Sequence, residues 1–101
     1  NVPQKAKVVA EEAFGPVVVI EKFTKFEDAI NNLNDGIFGL QAGVYTQDID
    51  ELNLAFNKLE VGGVIHNNVP TFRVDHMPYG GIKQSGLGRE GIKYAMMDML
   101  E

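Results

Sequence analysis

Two stretches of this chain carry residue types that can do chemistry. The first is Glu11-Glu12-Ala13-Phe14-Gly15-Pro16; the second runs from Pro78 through Tyr79-Gly80-Gly81-Ile82-Lys83-Gln84-Ser85-Gly86-Leu87-Gly88-Arg89 to Glu90. An ionised carboxylate accepts several hydrogen bonds, so Glu11 or Glu12 could receive a sugar diol. Neighbouring residues on an extended segment point to opposite sides, so the two acids cannot act as a facing pair. Their plain alternative is a pair of solvated acids. In the second stretch, Gly80, Gly81, Gly86 and Gly88 stand among Tyr79, Ile82 and Leu87. Glycine lets other groups approach the backbone closely, at an entropic cost. Such a segment reads as a shaped, packed loop, either a strand-to-helix connection or a wall facing a ligand. A glycine loop before a helix also suggests phosphate binding, but Gly80 to Gly86 lacks the G-x-x-x-x-G-K-[ST] order of a P-loop.

Other residues are weaker candidates. Arg73 offers a planar fork for a carboxylate or phosphate, or an ion pair with Asp75 or another acid. His66, in or beside an apolar strand, reads as a satisfied buried histidine rather than a base. His76 follows Asp75, and adjacent side chains rarely face each other, so a loop surface is the simpler reading. The Met96-Met97-Asp98-Met99 cluster suits a core or a subunit surface. The 101 residues contain no cysteine, which excludes disulfides and a thiol nucleophile within them.

The totals narrow the class. Hydrophobic content of 45% and charged content of 23% are those of a globular domain. A net charge of −5 with no basic cluster argues against nucleic-acid binding. No apolar run reaches the roughly 20 residues of a membrane-spanning helix. Two isolated histidines and no cysteine leave no zinc site in view.

The positioning elements alternate. Val8-Val9-Ala10 opens a strand or leads into a turn. Val17-Val18-Val19-Ile20 lacks polar alternation, as in a strand covered on both faces. Thr24 and Glu27 have capping-box spacing, and Phe26, Ala29, Ile30 and Leu33 form a helical apolar face ended near Gly36. Leu40 to Thr46 is a second strand. Asp48 caps a second helix whose buried stripe is Ile49, Leu52, Phe56 and Leu59. Gly62-Gly63 stops it, and Val64 to Asn68 is a third strand. Short connections imply parallel pairing through right-handed crossovers, with the Val69–Met77 loop at a strand end where such sheets place ligands. Ile92, Ala95, Met96, Met99 and Leu100 line a final helix. The absence of a start signal before Asn1 and of a stop after the last helix leads us to expect a chain truncated at both ends.

These residues resemble the C-terminal part of the NAD(P)-dependent aldehyde dehydrogenase superfamily. Glu11-Glu12-x-Phe14-Gly15-Pro16-Val17 is similar to the family's E-E-x-F-G-P-V motif. Pro78 to Glu90 resembles P-F-G-G-x-K-x-S-G-x-G-R-E, with Tyr79 in place of the usual phenylalanine. The N-D-G-x-x-G-L segment at Asn34 to Leu40 agrees as well. The Phe72–Pro78 segment looks most like members acting on lactaldehyde or other small polar aldehydes.

The resemblance implies an α/β fold, a three-layer and mostly parallel sheet with flanking helices, of which residues 1–101 form the C-terminal portion of the catalytic domain. By similarity, Glu12 hydrogen-bonds the nicotinamide ribose of NAD or NADP, and Phe14 packs beside the nicotinamide. Arg73 and Tyr79 line the aldehyde pocket; the tyrosine hydroxyl needs a polar partner and so favours a polar substrate. By similarity, Glu90 is expected in a buried acid–base relay. The family's cysteine nucleophile and glutamate base lie upstream, so this stretch alone is expected to be inactive. The intact protein is expected to be a cytoplasmic homodimer or homotetramer acting on a small aldehyde, with neither nucleic acid nor membrane as partner. Two other readings stand beside this one: a non-catalytic interaction module that keeps the family fold, and a free-standing nucleotide binder.

Overall fold

The fold is built around one crossover unit. In a computed structural model describing residues 2–101, strand β2 (Gln41–Val44) leads into helix α3 (Ile49–Lys58) and returns as strand β3 (Gly63–His66). β2 and β3 pair in parallel, Gln41 opposite Gly63 and Val44 opposite His66, as the strand–helix–strand pattern requires. Asp48 caps α3, its carboxylate accepting from the amides of Asp50 (2.8 Å) and Glu51 (3.3 Å), which satisfies donors that the first turn leaves open. The Thr46 hydroxyl donates to the Glu51 carboxylate (2.6 Å) and accepts from the Asp48 amide (3.0 Å).

Helix α2 (Phe26–Asn34) packs on α3. Ile30, Val44 and Ala55 are the buried hydrophobic residues, and Phe26, Leu54, Leu59 and Val64 pack against them. The expected stripe of α3 is therefore shifted. Ala55 faces the core, whereas Ile49 and Phe56 are 63% and 73% exposed, because the described core reaches only one side of the helix. The expected Thr24 cap does not form: Lys25 holds the cap position and makes no side-chain cap bond.

Three further expectations change. Val17 to Ile20 forms no strand and finds no pairing partner among the described residues, so its apolar side chains are largely exposed. Val8 to Ala10 belongs to a one-turn helix, α1 (Lys7–Ala10). His66 is exposed rather than buried, its Nε2 lying 2.9 Å from the Thr46 carbonyl, which it can reach as a donor.

A second small sheet joins strand β1 (Phe38–Gly39) to strand β4 (Ile82–Lys83), antiparallel, with Phe38 opposite Lys83 and Gly39 opposite Ile82. The described residues thus form two two-stranded sheets, one parallel and one antiparallel, in place of three parallel strands. Helix α4 (Ile92–Asp98) follows the glycine-rich loop; it buries none of its residues and ends before Met99.

Candidate functional site

The glycine-rich stretch is a closed loop. Tyr79 and Glu90 pair in antiparallel fashion at its base, the Tyr79 amide donating to Glu90 (3.2 Å) and the Glu90 amide donating back (2.6 Å). Inside, the Ser85 amide donates to the Ile82 carbonyl (3.1 Å), and Ser85 Oγ accepts from the Gly39 amide (2.9 Å). Arg89 Nη1 donates to the carbonyls of Gly88 (2.7 Å) and Gly81 (3.2 Å), bracing the loop from within. The loop meets the crossover unit at Gly62, where a Cβ would fall 1.7 Å from the Gly80 carbonyl oxygen. Only glycine permits that approach.

Lys83 anchors the loop from the other side. Its Nζ donates to the carbonyls of Asn34 (2.6 Å) and Gly36 (3.1 Å) and pairs with Glu60 (2.8 Å). A cation there satisfies carbonyls at the end of α2 and suits the negative end of the helix dipole. Lys83 has φ 55°, uncommon for a residue with a Cβ. Asn34 extends the junction: its side chain donates to the Lys58 carbonyl (2.6 Å) and accepts from the Glu60 amide (2.8 Å). A long-range junction of this kind leaves no short-range signal in the sequence.

Arg73 crosses the base of the loop. Its Nη2 donates to Glu90 Oε2 at 2.9 Å, and its guanidinium lies 4.5 Å from the centre of the Tyr79 ring. Of the acids open to it in sequence, Glu90 is the one it meets. An exposed ion pair of this kind is worth about 0–1 kcal/mol and an exposed cation–π contact about 0.5–1 kcal/mol. Together they fix an orientation more than they stabilise the fold. The segment carrying Arg73 is tied down by Gln41, whose Nε2 donates to the carbonyls of Pro70 (2.5 Å) and Phe72 (3.1 Å). His76 is exposed, as its place in the loop implies.

Glu12 and Phe14 stand in a different place. Glu12 lines a cleft of about 510 Å³ with Glu11, Leu33, Phe38, Gln84 and Ser85. Arg73 and Tyr79 do not line it. Glu12 is exposed, and Phe14 is 95% exposed. Gly86, Gly88 and Gly91 also stand in G-x-G-x-x-G spacing. Their setting differs from a dinucleotide turn, since the loop folds back on itself through Tyr79 and Glu90 and follows a two-residue antiparallel strand.

The family model for the aldehyde dehydrogenase family matches residues 1–101. The chain belongs to the aldehyde dehydrogenase family. It is 57% identical to a lactaldehyde dehydrogenase of Methanococcus vannielii over 90 residues, which are 89% of this chain and 19% of that protein. Aldehyde dehydrogenase 21 of Physcomitrella patens, solved with its reaction product succinate, superposes with a TM-score of 0.95 at 50% identity over 100% of this chain and 21% of that one. An aldehyde dehydrogenase of Bacillus cereus, solved with NAD+, gives a TM-score of 0.92 at 40% identity over 100% of this chain and 20% of that one. The chain thus spans about a fifth of the length of the relatives it matches. No helix among the described residues is long and apolar enough to cross a membrane.

Proposed function

We propose that these residues are the C-terminal portion of an enzyme that oxidises a small, polar or anionic aldehyde to its carboxylic acid with NAD or NADP. The observation that carries the reading is Arg73 held over Tyr79 at the base of the glycine-rich loop. A guanidinium and a phenol hydroxyl on one wall match a substrate bearing a carboxylate or hydroxyl beyond its aldehyde carbon. The succinate in the moss relative is a product of that kind.

In this reading Glu12 receives the ribose hydroxyls, and Phe14 shields one face of the nicotinamide ring. The cofactor, when bound, supplies a hydride acceptor. Arg73 and Tyr79 orient the far end of the substrate, so that the aldehyde carbon is held at a fixed distance from the wall. Glu90, 2.9 Å from Arg73, belongs in this reading to an acid–base relay. The chain has no cysteine, so we place the nucleophile, the general base and the remaining strands of a three-layer sheet in chain outside these residues; the stretch alone is then inactive. That additional chain would cover the exposed side chains of Val17 to Ile20 and of α4. A cytoplasmic homodimer or homotetramer is the assembly we propose for the intact enzyme. An interaction module without chemistry is not favoured, because both motifs lie within a match that runs over residues 1–101.

The test is NAD or NADP reduction by a full-length protein carrying this segment, against a panel of neutral and anionic aldehydes. Turnover that favours the short polar or anionic members supports the reading. No reduction with any aldehyde removes it.

A further inference from the structure

Gln41 and Gly43 share one face of strand β2, because alternate residues of a strand point the same way. On that face the chain that follows β3 folds back. Gly43 lets it come close: a Cβ there would fall 2.6 Å from the Asn68 carbonyl oxygen and 3.2 Å from the Pro70 ring. Two positions earlier, Gln41 reaches the same segment with its side chain. Both hydrogens of a glutamine amide are donors, and Nε2 meets two carbonyls, those of Pro70 (2.5 Å) and Phe72 (3.1 Å). The segment between them is a turn, closed by the Phe72 amide on the Val69 carbonyl (3.1 Å), with Pro70 where a fixed φ suits it. The Phe72 carbonyl is half of the peptide bond to Arg73. Gln41 thus holds the backbone on which Arg73 stands, while the Tyr79 ring, 4.5 Å from the guanidinium, meets its head.

We propose that Gln41 is a positioning residue that sets the preference for anionic over neutral aldehydes. Its action is indirect, through Arg73: it fixes the backbone from which the guanidinium reaches the pocket. The inference rests on the reading of Arg73 as a pocket residue. A planar fork binds a carboxylate well only at the right distance and angle, so an error in backbone position is felt by an anionic group and not by an apolar one. Gln41 suits the task because β2 is paired along its length with β3, and a group carried on a strand is placed more precisely than one on a loop.

The experiment is steady-state kinetics of the full-length enzyme on succinic semialdehyde, which is anionic, and on butyraldehyde, neutral and of equal chain length. The proteins compared are wild type, Gln41→Leu, Arg73→Met and the double variant. Gln41→Leu keeps the bulk of the side chain and removes both donors. It is expected to raise KM for the anionic aldehyde about three- to tenfold, the reach of one or two hydrogen bonds. The kcat and the KM values of the neutral aldehyde and of the cofactor stay unmoved. In the Arg73→Met background the same change has no further effect on the anionic KM. If Gln41→Leu does not fold, Gln41→Asn holds its amide one methylene short of the two carbonyls and gives a smaller rise of the same kind. Equal effects on both aldehydes, or an anionic KM that neither Gln41 variant raises while Arg73→Met still does, overturn the inference and leave the pocket standing. A preference indifferent to Arg73→Met removes the pocket reading itself, and the role of Gln41 with it.

Discussion

Arg73 and Glu90 lie 17 residues apart in sequence and 2.9 Å apart in space, joined across the mouth of a loop whose ends are already hydrogen-bonded. The pair sets where a cation stands, on a wall that also holds the Tyr79 ring.

Arg73→Met in the full-length enzyme should raise KM for an anionic aldehyde about tenfold or more, the loss of a charge-assisted contact. The KM of a neutral aldehyde of equal length should change little. Steady-state kinetics on the two substrates checks this, and equal effects on both would mean that Arg73 does not face the substrate.

Glu12→Gln should act on the cofactor side. We expect kcat to fall about tenfold, the scale of one hydrogen bond to a charged group, with the aldehyde KM nearly constant. Rapid-mixing measurements of NADH or NADPH formation and release locate the affected step. Unchanged kinetics at saturating cofactor and aldehyde would withdraw the ribose assignment.

Gly62→Ala tests the contact between the loop and the crossover unit. The new Cβ would lie 1.7 Å from the Gly80 carbonyl oxygen, so the segments must separate, at a cost of about 3 kcal/mol, the upper end for overpacking. Gly15→Ala, with no atom within 4 Å of the added Cβ, serves as the control. Denaturant unfolding of both variants should show a lower midpoint for the first alone.

Asp48→Ala removes the cap of α3 and should cost about 1 kcal/mol, whereas Asp48→Asn keeps the acceptor and should cost little. The same unfolding measurement separates them; equal midpoints for the two variants would show that the cap carries no stability.

The crossover unit was legible because its signals are local. Asp48 stands directly before its helix, and apolar runs flank it on either side. The burial of α3 was less legible, since periodicity marks an apolar face without saying what covers it. Ile49 and Phe56 satisfy the spacing yet lie away from Ile30 and Val44. Val17 to Ile20 failed for the same reason: an unbroken apolar run calls for cover on both faces, and the partners are not among the described residues. At the site, residue chemistry singled out Arg73, but its partner could be found only by closing the loop. The junction of Lys83 with Asn34, Gly36 and Glu60 depends on a left-handed backbone at a lysine, which no propensity would place there.

The two ladders also differ in reach along the chain. β2 and β3 pair residues 22 apart, such as Gln41 and Gly63, whereas β1 and β4 pair Gly39 with Ile82, about twice as far. Closing the longer span costs only about 0.6 kcal/mol more in chain entropy, yet it is rewarded by two residue pairs instead of four. We expect the crossover unit to form first and the glycine-rich wall, anchored through Lys83 and Ser85, to dock onto it last. By the same reasoning that wall is the first part to come loose. Amide exchange at Tyr79 and Glu90 should outpace that at Gly43 and Val44, and the reverse order would contradict this sequence of events. The residues that would greet the substrate thus sit on the part of the fold with the least to lose by opening.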